Sequence, residues 1–284
     1  MIKDWIESYK PKNIQETEQA LREIMQEITL AGLYRGNFYK HAALYGGTAL
    51  RIFHGLNRFS EDLDFSLLEK DAEFELELFF NAVVEEFNAL GMHISLKHKT
   101  KLNISNIDST FLKSETLWSE LIFESTIHQI KFPSKPSIKI KIEVDTDPPL
   151  NFETENLLLS KPFSFYVNCF TLPNLFAGKM HALLFRKWKN RVKGRDWYDM
   201  EWYIKNGVEL NLKHFCQRAT ESGDWSEETI SKNQLLELLH AKINTTKIEN
   251  VKEDVIRFIQ NPNELDIWTR GYFNLLVENL KVDE

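Results

Sequence analysis

The chain has 284 residues, of which 43% are hydrophobic and 27% are charged, and its formal net charge is −7. This composition is typical of a folded globular protein, and the low counts of 11 Gly and 8 Pro exclude collagen-like and low-complexity chains. No run reaches the roughly 20 apolar residues of a membrane span, and the first residues lack the apolar core of a secretory signal. The only cysteines, Cys169 and Cys216, suit a reducing compartment, so we expect a cytoplasmic protein.

In the first third of the chain, helix and strand patterns alternate. Apolar residues from Leu21 to Ile28 recur at the spacing of one helical face, and Asn13 with Glu16 resembles the capping box that begins a helix. The predicted elements are, in chain order, a helix over about 14–34, a strand over 42–45, a Gly-Gly turn, a short helix over 49–54 capped by Thr48, a strand over 62–66 and a long helix over about 71–90.

Alternating apolar residues predict strands in the middle of the chain. The clearest strand is Ser137–Asp145, where apolar residues at every second position point one way and charged residues the other. Weaker strand patterns lie around 92–96, 119–126 and 163–169. From residue 173 onward the pattern is helical, with predicted helices over 173–188, 196–206, about 226–242, 250–260 and 263–282.

The most informative stretch joins Gly46-Gly47-Thr48 to Asp62-Leu63-Asp64. Two glycines after a strand let the backbone approach a ligand closely, and their N–H groups form an anion site with the start of the next helix. Asp62 and Asp64 project from the same face of a strand, and their oxygen atoms suit Mg²⁺ or Mn²⁺. Either feature alone is usually a plain turn or a solvated edge. Together, in this order, they favour phosphoryl or nucleotidyl transfer.

A third carboxylate is expected on a neighbouring strand, where it would hold a metal ion or accept the proton of an attacking hydroxyl. The predicted strand Ser137–Asp145 offers Glu143 and Asp145 on its polar face. In the alternative interpretation, this face is only solvated and its charges form weak surface ion pairs.

Two cations, Lys179 and Arg186, are seven residues apart in a predicted helix, and this spacing places them on one face. They can clamp a triphosphate or stabilise a leaving pyrophosphate, although two ordinary surface cations would have the same spacing. Downstream, Arg195 and Asp199 have the i, i+4 spacing of a local ion pair, and Asp196 can cap the helix.

Residues 186–195 are unusually basic for an acidic chain. Such a stretch can neutralise nucleic-acid phosphates, and a tryptophan within it can stack on a base. A solubilising loop is equally consistent with it. The candidate nucleic-acid patch consists of Lys187, Trp188, Lys189, Arg191, Lys193 and Arg195.

These motifs together resemble a known family. Gly-Gly-Thr followed by Asp-X-Asp resembles the signature of the polymerase-β-like nucleotidyltransferase superfamily. The string GGTALRIFHGLNRFSEDLDF resembles, more narrowly, the abortive-infection toxins of AbiEii/AbiGii type, which include the MenT-like enzymes. The strand around Glu143 and the strings AGKMHALLFR and RDWYD are similar to the same family, so the resemblance spans about 44–204.

The resemblance implies a fold and a set of site residues. It implies an α/β (α+β) fold, with a polymerase-β-like core and mixed sheet over 1–170 and a helical domain over 171–284 that completes the active-site cleft. It favours Glu143 as the third carboxylate, although the superfamily often has Asp there. The implied catalytic residues are Asp62, Asp64, Glu143, Lys179 and Asp199. The implied nucleotide-binding residues are Gly46, Gly47, Thr48, Arg51, Ser60, Lys179 and Arg186. The implied metal ligands are Asp62, Asp64, Glu143 and Asp145.

The expected reaction moves a nucleoside monophosphate from an NTP to an acceptor hydroxyl, with Mg²⁺ or Mn²⁺ as cofactor. The resemblance alone implies a toxin of a toxin–antitoxin pair, with tRNA as acceptor and an antitoxin as partner. Three alternatives stay open: a small-molecule nucleotidyltransferase of the antibiotic-modifying kind, an enzyme that nucleotidylates proteins, and a nucleotide-binding regulatory module without turnover.

Overall fold

The computed structural model describes residues 2–98, 116–124, 137–186 and 192–283. The helices are α1 (Ile2–Ser8), α2 (Ile14–Arg35), α3 (Gly46–Phe53), α4 (Phe80–Ala89), α5 (Leu172–Phe185), α6 (Gly194–Lys205), α7 (Leu212–Glu221), α8 (Lys232–Thr245), α9 (Ile248–Val255) and α10 (Arg270–Val277). The strands are β1 (Ala42–Tyr45), β2 (Asp62–Leu67), β3 (Ile94–His98), β4 (Thr116–Glu124), β5 (Ser137–Asp145), β6 (Thr154–Leu159), β7 (Phe165–Phe170), β8 (Glu209–Leu210) and β9 (Lys281–Val282). Short 3-10 helices cover Phe38–Lys40, Leu76–Phe79, Ile256–Phe258 and Pro262–Leu265.

The chain divides into two compact units. The first contains Met1–Ala49, Phe59–Pro148 and Glu155–Cys169, and the second contains Leu50–Arg58, Pro149–Thr154 and Phe170–Glu284. Two short segments from the first 170 residues, Leu50–Arg58 and Pro149–Thr154, therefore belong to the second unit. The sequence pattern contains no sign of this exchange, because short segments carry too few residues for a periodic signal.

The first unit is built on a mixed sheet. Seven strands lie in the order β3-β4-β5-β2-β1-β7-β6. β1 pairs antiparallel with β2 and parallel with β7, and β2 pairs parallel with β5. The mixed α/β fold expected from the sequence is confirmed: its central strands β2 and β5 carry the acidic motifs, and β1 leads into the Gly-Gly pair at the start of α3.

Local patterns account for the best-predicted elements. β5 has the predicted bounds, and its apolar residues, Ile138, Ile140, Ile142 and Val144, are all buried. α2 is confirmed as well, because the Asn13 side chain accepts a hydrogen bond from the Glu16 backbone N–H at 2.9 Å at its N-terminus. Strong periodicity and a recognisable cap are the signals that sequence carries most directly.

Two predictions in the first unit are wrong in detail. The helix expected over about 71–90 is a 3-10 turn at Leu76–Phe79 followed by α4. The Asp71 carboxylate accepts a hydrogen bond from the Glu73 N–H at 2.9 Å, and such a local bond competes with the helix. Thr48 does not cap a helix over 49–54, because α3 begins at Gly46 and Thr48 lies within its first turn.

The second unit is mostly helical. α5 packs on α6 and α7, α6 packs on α9, and α8 packs on α10, while β8 and β9 form a small parallel pair. α7 was not predicted, and the helix expected over 263–282 is confined to α10, where the Thr269 hydroxyl accepts the Tyr272 N–H at 3.0 Å. No helix in the described part of the chain is both long and apolar enough to span a bilayer.

Candidate active site

Three acidic residues lie on two adjacent strands of the first unit. Asp62 and Asp64 alternate in β2 with buried residues, so they share the partly exposed face of the strand. The parallel register of β2 and β5 pairs Asp64 with Glu143 and Asp62 with Lys141. The sheet therefore brings Glu143 beside Asp64, whereas Asp145 lies two pairs further along, opposite Ser66.

Gly46 allows the start of α3 to contact Asp64. Its φ is +81°, and an added Cβ would lie 2.7 Å from Asp64 Oδ2. A side chain here would collide with the carboxylate, so only glycine permits this approach. The Thr48 hydroxyl donates a hydrogen bond to the Asp62 carbonyl oxygen, which ties the first turn of α3 to the start of β2.

We expect Gly46→Ala to lower nucleotide transfer about a hundredfold, because the methyl group would displace the Asp64 carboxylate. Gly55→Ala is the matched control: Gly55 also has a positive φ, +76°, but no atom lies within 4 Å of an added Cβ. Steady-state transfer rates of both variants test this expectation. Equal losses would mean that backbone strain, and not contact with Asp64, causes the effect.

The carboxylates of this face are suitable in kind for a divalent cation, since Mg²⁺ prefers oxygen ligands. Glu143 accepts a hydrogen bond from Lys141 Nζ, and Asp145 Oδ1 accepts the Asp147 N–H at 3.2 Å. Among the residues that the structure describes, no three acidic, His or Cys side chains converge closely enough to hold a metal ion. Asp62 and Asp64 therefore fit as a pair, and Glu143 would join them only after leaving Lys141.

The second unit contains a buried ion cluster of Arg58, Lys179, Asp196 and Asp199. Arg58 donates from Nε to Asp199 Oδ1 at 2.5 Å and from Nη2 to Oδ2 at 2.6 Å. Lys179 Nζ lies 2.9 Å from Asp196 Oδ1 and 2.9 Å from Asp199 Oδ2. Arg58 and Asp199 are 2% and 0% exposed. The two positive and two negative charges compensate one another away from solvent.

In the ion cluster, the combined effect of the neighbouring charges on each pKa is larger than the effect of burial. Burial alone would raise the pKa of Asp196, but the positive charges of Lys179 and Lys193 lower it to about 2. Burial likewise opposes ionisation of Asp199, and Arg58 and Lys179 lower its pKa below the usual value. The carboxylates in turn raise the pKa of Arg58 and Lys179 despite burial. All four groups are charged at neutral pH.

This cluster should make the free energy of unfolding fall in acid. The Asp196 pKa of about 2 lies below its ordinary value of 3.8, so its contribution is present above that value and is lost as the pH falls toward 2. Thermal unfolding between about pH 5 and about pH 2 measures this loss. In the Asp196→Asn variant the side chain at position 196 does not titrate, so its free energy of unfolding should depend less steeply on pH. The same pH dependence in both proteins would contradict this role for Asp196.

Sequence reasoning missed Arg58, and the local roles that it offered for two members of the cluster, Asp196 and Asp199, are not observed. Asp196 does not cap its helix: α6 begins at Gly194, and the Asp196 carboxylate contacts Lys179. Asp199 binds Arg58 and Lys179, while the Arg195 guanidinium lies 4.2 Å from the centre of the Phe258 ring. Arg58 precedes the Asp-X-Asp motif by four residues, and that position is the only signal that could have identified it.

Four further predicted site residues, Arg51, Ser60, Arg186 and Lys193, also lie among the described residues. Arg51 Nη1 donates to the Leu56 carbonyl at 3.0 Å, and the Ser60 carbonyl accepts from Gln26 Nε2 at 3.3 Å. Arg186 is the C-cap residue of α5, and its N–H donates to the Ala182 carbonyl oxygen at 3.3 Å. Lys193 is half-buried just before α6. The predicted patch residues Lys187, Trp188, Lys189 and Arg191 lie outside the described residues.

Comparison with solved structures shows which fold this is. MenT4, a nucleotidyltransferase toxin from Mycobacterium tuberculosis H37Rv, has a TM-score of 0.60 and 13% identity over 98% of this chain and 87% of that chain. JHP933 from Helicobacter pylori has a TM-score of 0.52 and 17% identity over 91% of this chain and 88% of that chain. At such identities the likeness establishes the fold alone. No curated protein sequence matches the chain significantly.

The family follows from the sequence itself. The model of the family described as nucleotidyl transferase AbiEii toxin, type IV toxin–antitoxin system, matches residues 28–279. This match includes the Gly-Gly turn, both acidic strands and the ion cluster, and it extends through the helices of the second unit. The resemblance expected from the motifs is thereby confirmed over most of the chain. The chain belongs to the AbiEii family of nucleotidyltransferase toxins.

Proposed function

We propose that this protein transfers a nucleoside monophosphate from an NTP to a hydroxyl group of tRNA, in a metal-dependent reaction that arrests growth. The observation that carries the proposal is the position of Asp64. Its carboxylate lies against Gly46 at the start of α3, with Asp62 on the same face and Glu143 in register on the next strand. Carboxylates beside a helix N-terminus suit a substrate that combines phosphates with divalent cations.

The residues of the first unit have distinct proposed roles. Asp62 and Asp64 hold Mg²⁺ or Mn²⁺, which when bound neutralises charge on the transferred phosphoryl group. The backbone N–H groups of Gly46 and Gly47 point to phosphate oxygens from the start of α3. Glu143 accepts the proton of the acceptor hydroxyl after its ion pair with Lys141 has broken.

Lys179 is the proposed phosphate ligand of the second unit. An ammonium group has three donor positions, and Lys179 directs two of them to Asp196 and Asp199. The described carboxylates engage two of its N–H groups, and the third is the proposed donor to a phosphate oxygen. Because Arg58 holds Asp199 through two hydrogen bonds, the ammonium is fixed in position before the substrate arrives.

A label-transfer assay tests the proposal. The protein is incubated with Mg²⁺ and each of the four α-labelled NTPs in turn, together with total RNA and total protein. We expect a labelled product of tRNA size, and its loss when a chelator removes the metal. Label on a polypeptide would replace the proposed acceptor with a protein. Pyrophosphate release without a labelled macromolecule would indicate a small-molecule acceptor, and no turnover at all would contradict the proposal.

The family also implies a cognate antitoxin, and growth provides the corresponding test. Induced expression of the wild-type chain should arrest growth. Expression of a chain with Asp62→Asn and Asp64→Asn should not. Co-expression of the antitoxin should restore growth. Equal arrest by the active and the disabled chains would show that toxicity does not depend on nucleotide transfer.

A further inference from the structure

A cavity of about 340 Å³ lies within the second unit, where the end of α5, the start of α6 and the last turn of α8 meet. Its volume is at the lower end of the range for small-molecule sites, which suits one nucleotide. The lining residues that the structure describes do not include Asp62, Asp64 or the glycines at the start of α3. The proposed metal-binding residues therefore do not account for it.

Positive charge predominates in the cavity lining. Arg186, Lys193 and Lys242 supply three cations. The carboxylate of Asp196 also lines the cavity, where it contacts Lys179 and raises the pKa of Lys193 and Lys242. With Asp224 the described lining has two acids, so its three cations are in excess.

The lysines of the cavity are partly removed from solvent. Burial lowers the pKa of Lys193, Asp196 opposes this change, and repulsion from Lys179, Arg186 and Arg195 adds to it, so that the pKa is about 8. Burial also lowers the pKa of Lys242, whose ammonium donates to the Leu184 carbonyl oxygen at 3.2 Å. Crowded, half-buried cations of this kind are stabilised by a bound anion.

The rest of the wall is apolar. Leu183, Phe185 and Val192 line the cavity together with Trp197. A ligand with an anionic group and a planar, apolar ring could contact both parts of the wall. Its anionic group would bind the cations, and its ring would pack on the apolar side chains. A nucleotide has this composition.

We propose that this cavity, at the junction of α5, α6 and α8, binds one nucleotide residue of the acceptor RNA, with its phosphate at Arg186, Lys193 and Lys242. The inference rests on the proposed function for the identity of the acceptor. RNA is favoured over a free nucleoside monophosphate because the described lining has three cations, and neighbouring phosphates of one strand can bind more than one of them.

Kinetics of Lys242→Gln test the proposal, because Lys242 belongs to no motif and has no assigned role in the chemistry. We expect the KM for tRNA to rise about tenfold, as for loss of one charged hydrogen bond, while the KM for NTP stays constant. The salt dependence of tRNA binding, measured by fluorescence anisotropy without NTP, should lose about one unit of slope. Lys242→Arg keeps the cation and should retain a KM near that of the wild type.

Lys232→Gln is the matched control: it removes the same charge from the same helix, but Lys232 is not among the described residues that line the cavity. Unchanged tRNA binding and salt slope in Lys242→Gln would overturn the proposal, as would a rise in the KM for NTP alone. Binding of a nucleoside monophosphate that does not compete with tRNA would assign the cavity to a free nucleotide and would also overturn it. If the wild type transfers no label, the proposed function fails, but the anisotropy measurement still decides whether Lys242 binds RNA.

Discussion

Asp64→Asn should abolish nucleotide transfer without unfolding the protein. The carboxamide has nearly the shape of the carboxylate but lacks its charge, so it would hold a divalent cation poorly. Loss of this interaction in the transition state should lower the rate by a factor of about 10³ or more. Because Asp64 is only partly buried, the substitution leaves no uncompensated charge in the interior.

The measurement is a time course of label transfer, accompanied by thermal unfolding of the same samples. Asp266→Asn removes an exposed carboxylate of the second unit and should leave both properties unchanged. Asp62→Asn should behave like Asp64→Asn, since both carboxylates share one face of β2. Wild-type rates in a folded Asp64→Asn protein would exclude this face as the site of chemistry.

Arg58→Met should reduce the free energy of unfolding by about 3–5 kcal/mol. Arg58 is 2% exposed, and its guanidinium makes both hydrogen bonds to Asp199. Methionine leaves the buried Asp199 carboxylate with Lys179 as its described cationic partner. Desolvation of that charge is then poorly compensated, and the folded state becomes less stable. Urea unfolding monitored by tryptophan fluorescence measures the change.

Two further variants distinguish charge from packing in this prediction. Arg58→Met combined with Asp199→Leu removes both charges and should recover part of the lost stability. Arg270→Met removes an exposed arginine and should change stability by less than about 0.5 kcal/mol. A double variant no more stable than Arg58→Met would show that side-chain packing, and not the buried carboxylate, dominates the loss.

Several elements and motifs could be predicted from the sequence because they depend on local signals. Alternation of apolar and charged residues predicted β5 at its observed bounds, and periodicity with an Asn13 cap predicted α2. The Gly-Gly-Thr and Asp-X-Asp strings identified the family, which the match over residues 28–279 confirmed. These signals are readable because glycine at positive φ, strand alternation and helix caps each involve residues close in the chain.

Contacts between distant side chains depend on how the elements pack. Pairing of β2 with β5, two strands far apart in the chain, brought Glu143 beside Asp64 and paired Asp62 with Lys141. The Arg58–Asp199 pair joins residues 141 positions apart, and helical spacing had suggested Arg195 as the partner. Lys242 enters the cavity from a helix without any recognised motif. Burial and charge compensation are properties of the folded assembly of elements, and they select partners that sequence spacing cannot rank.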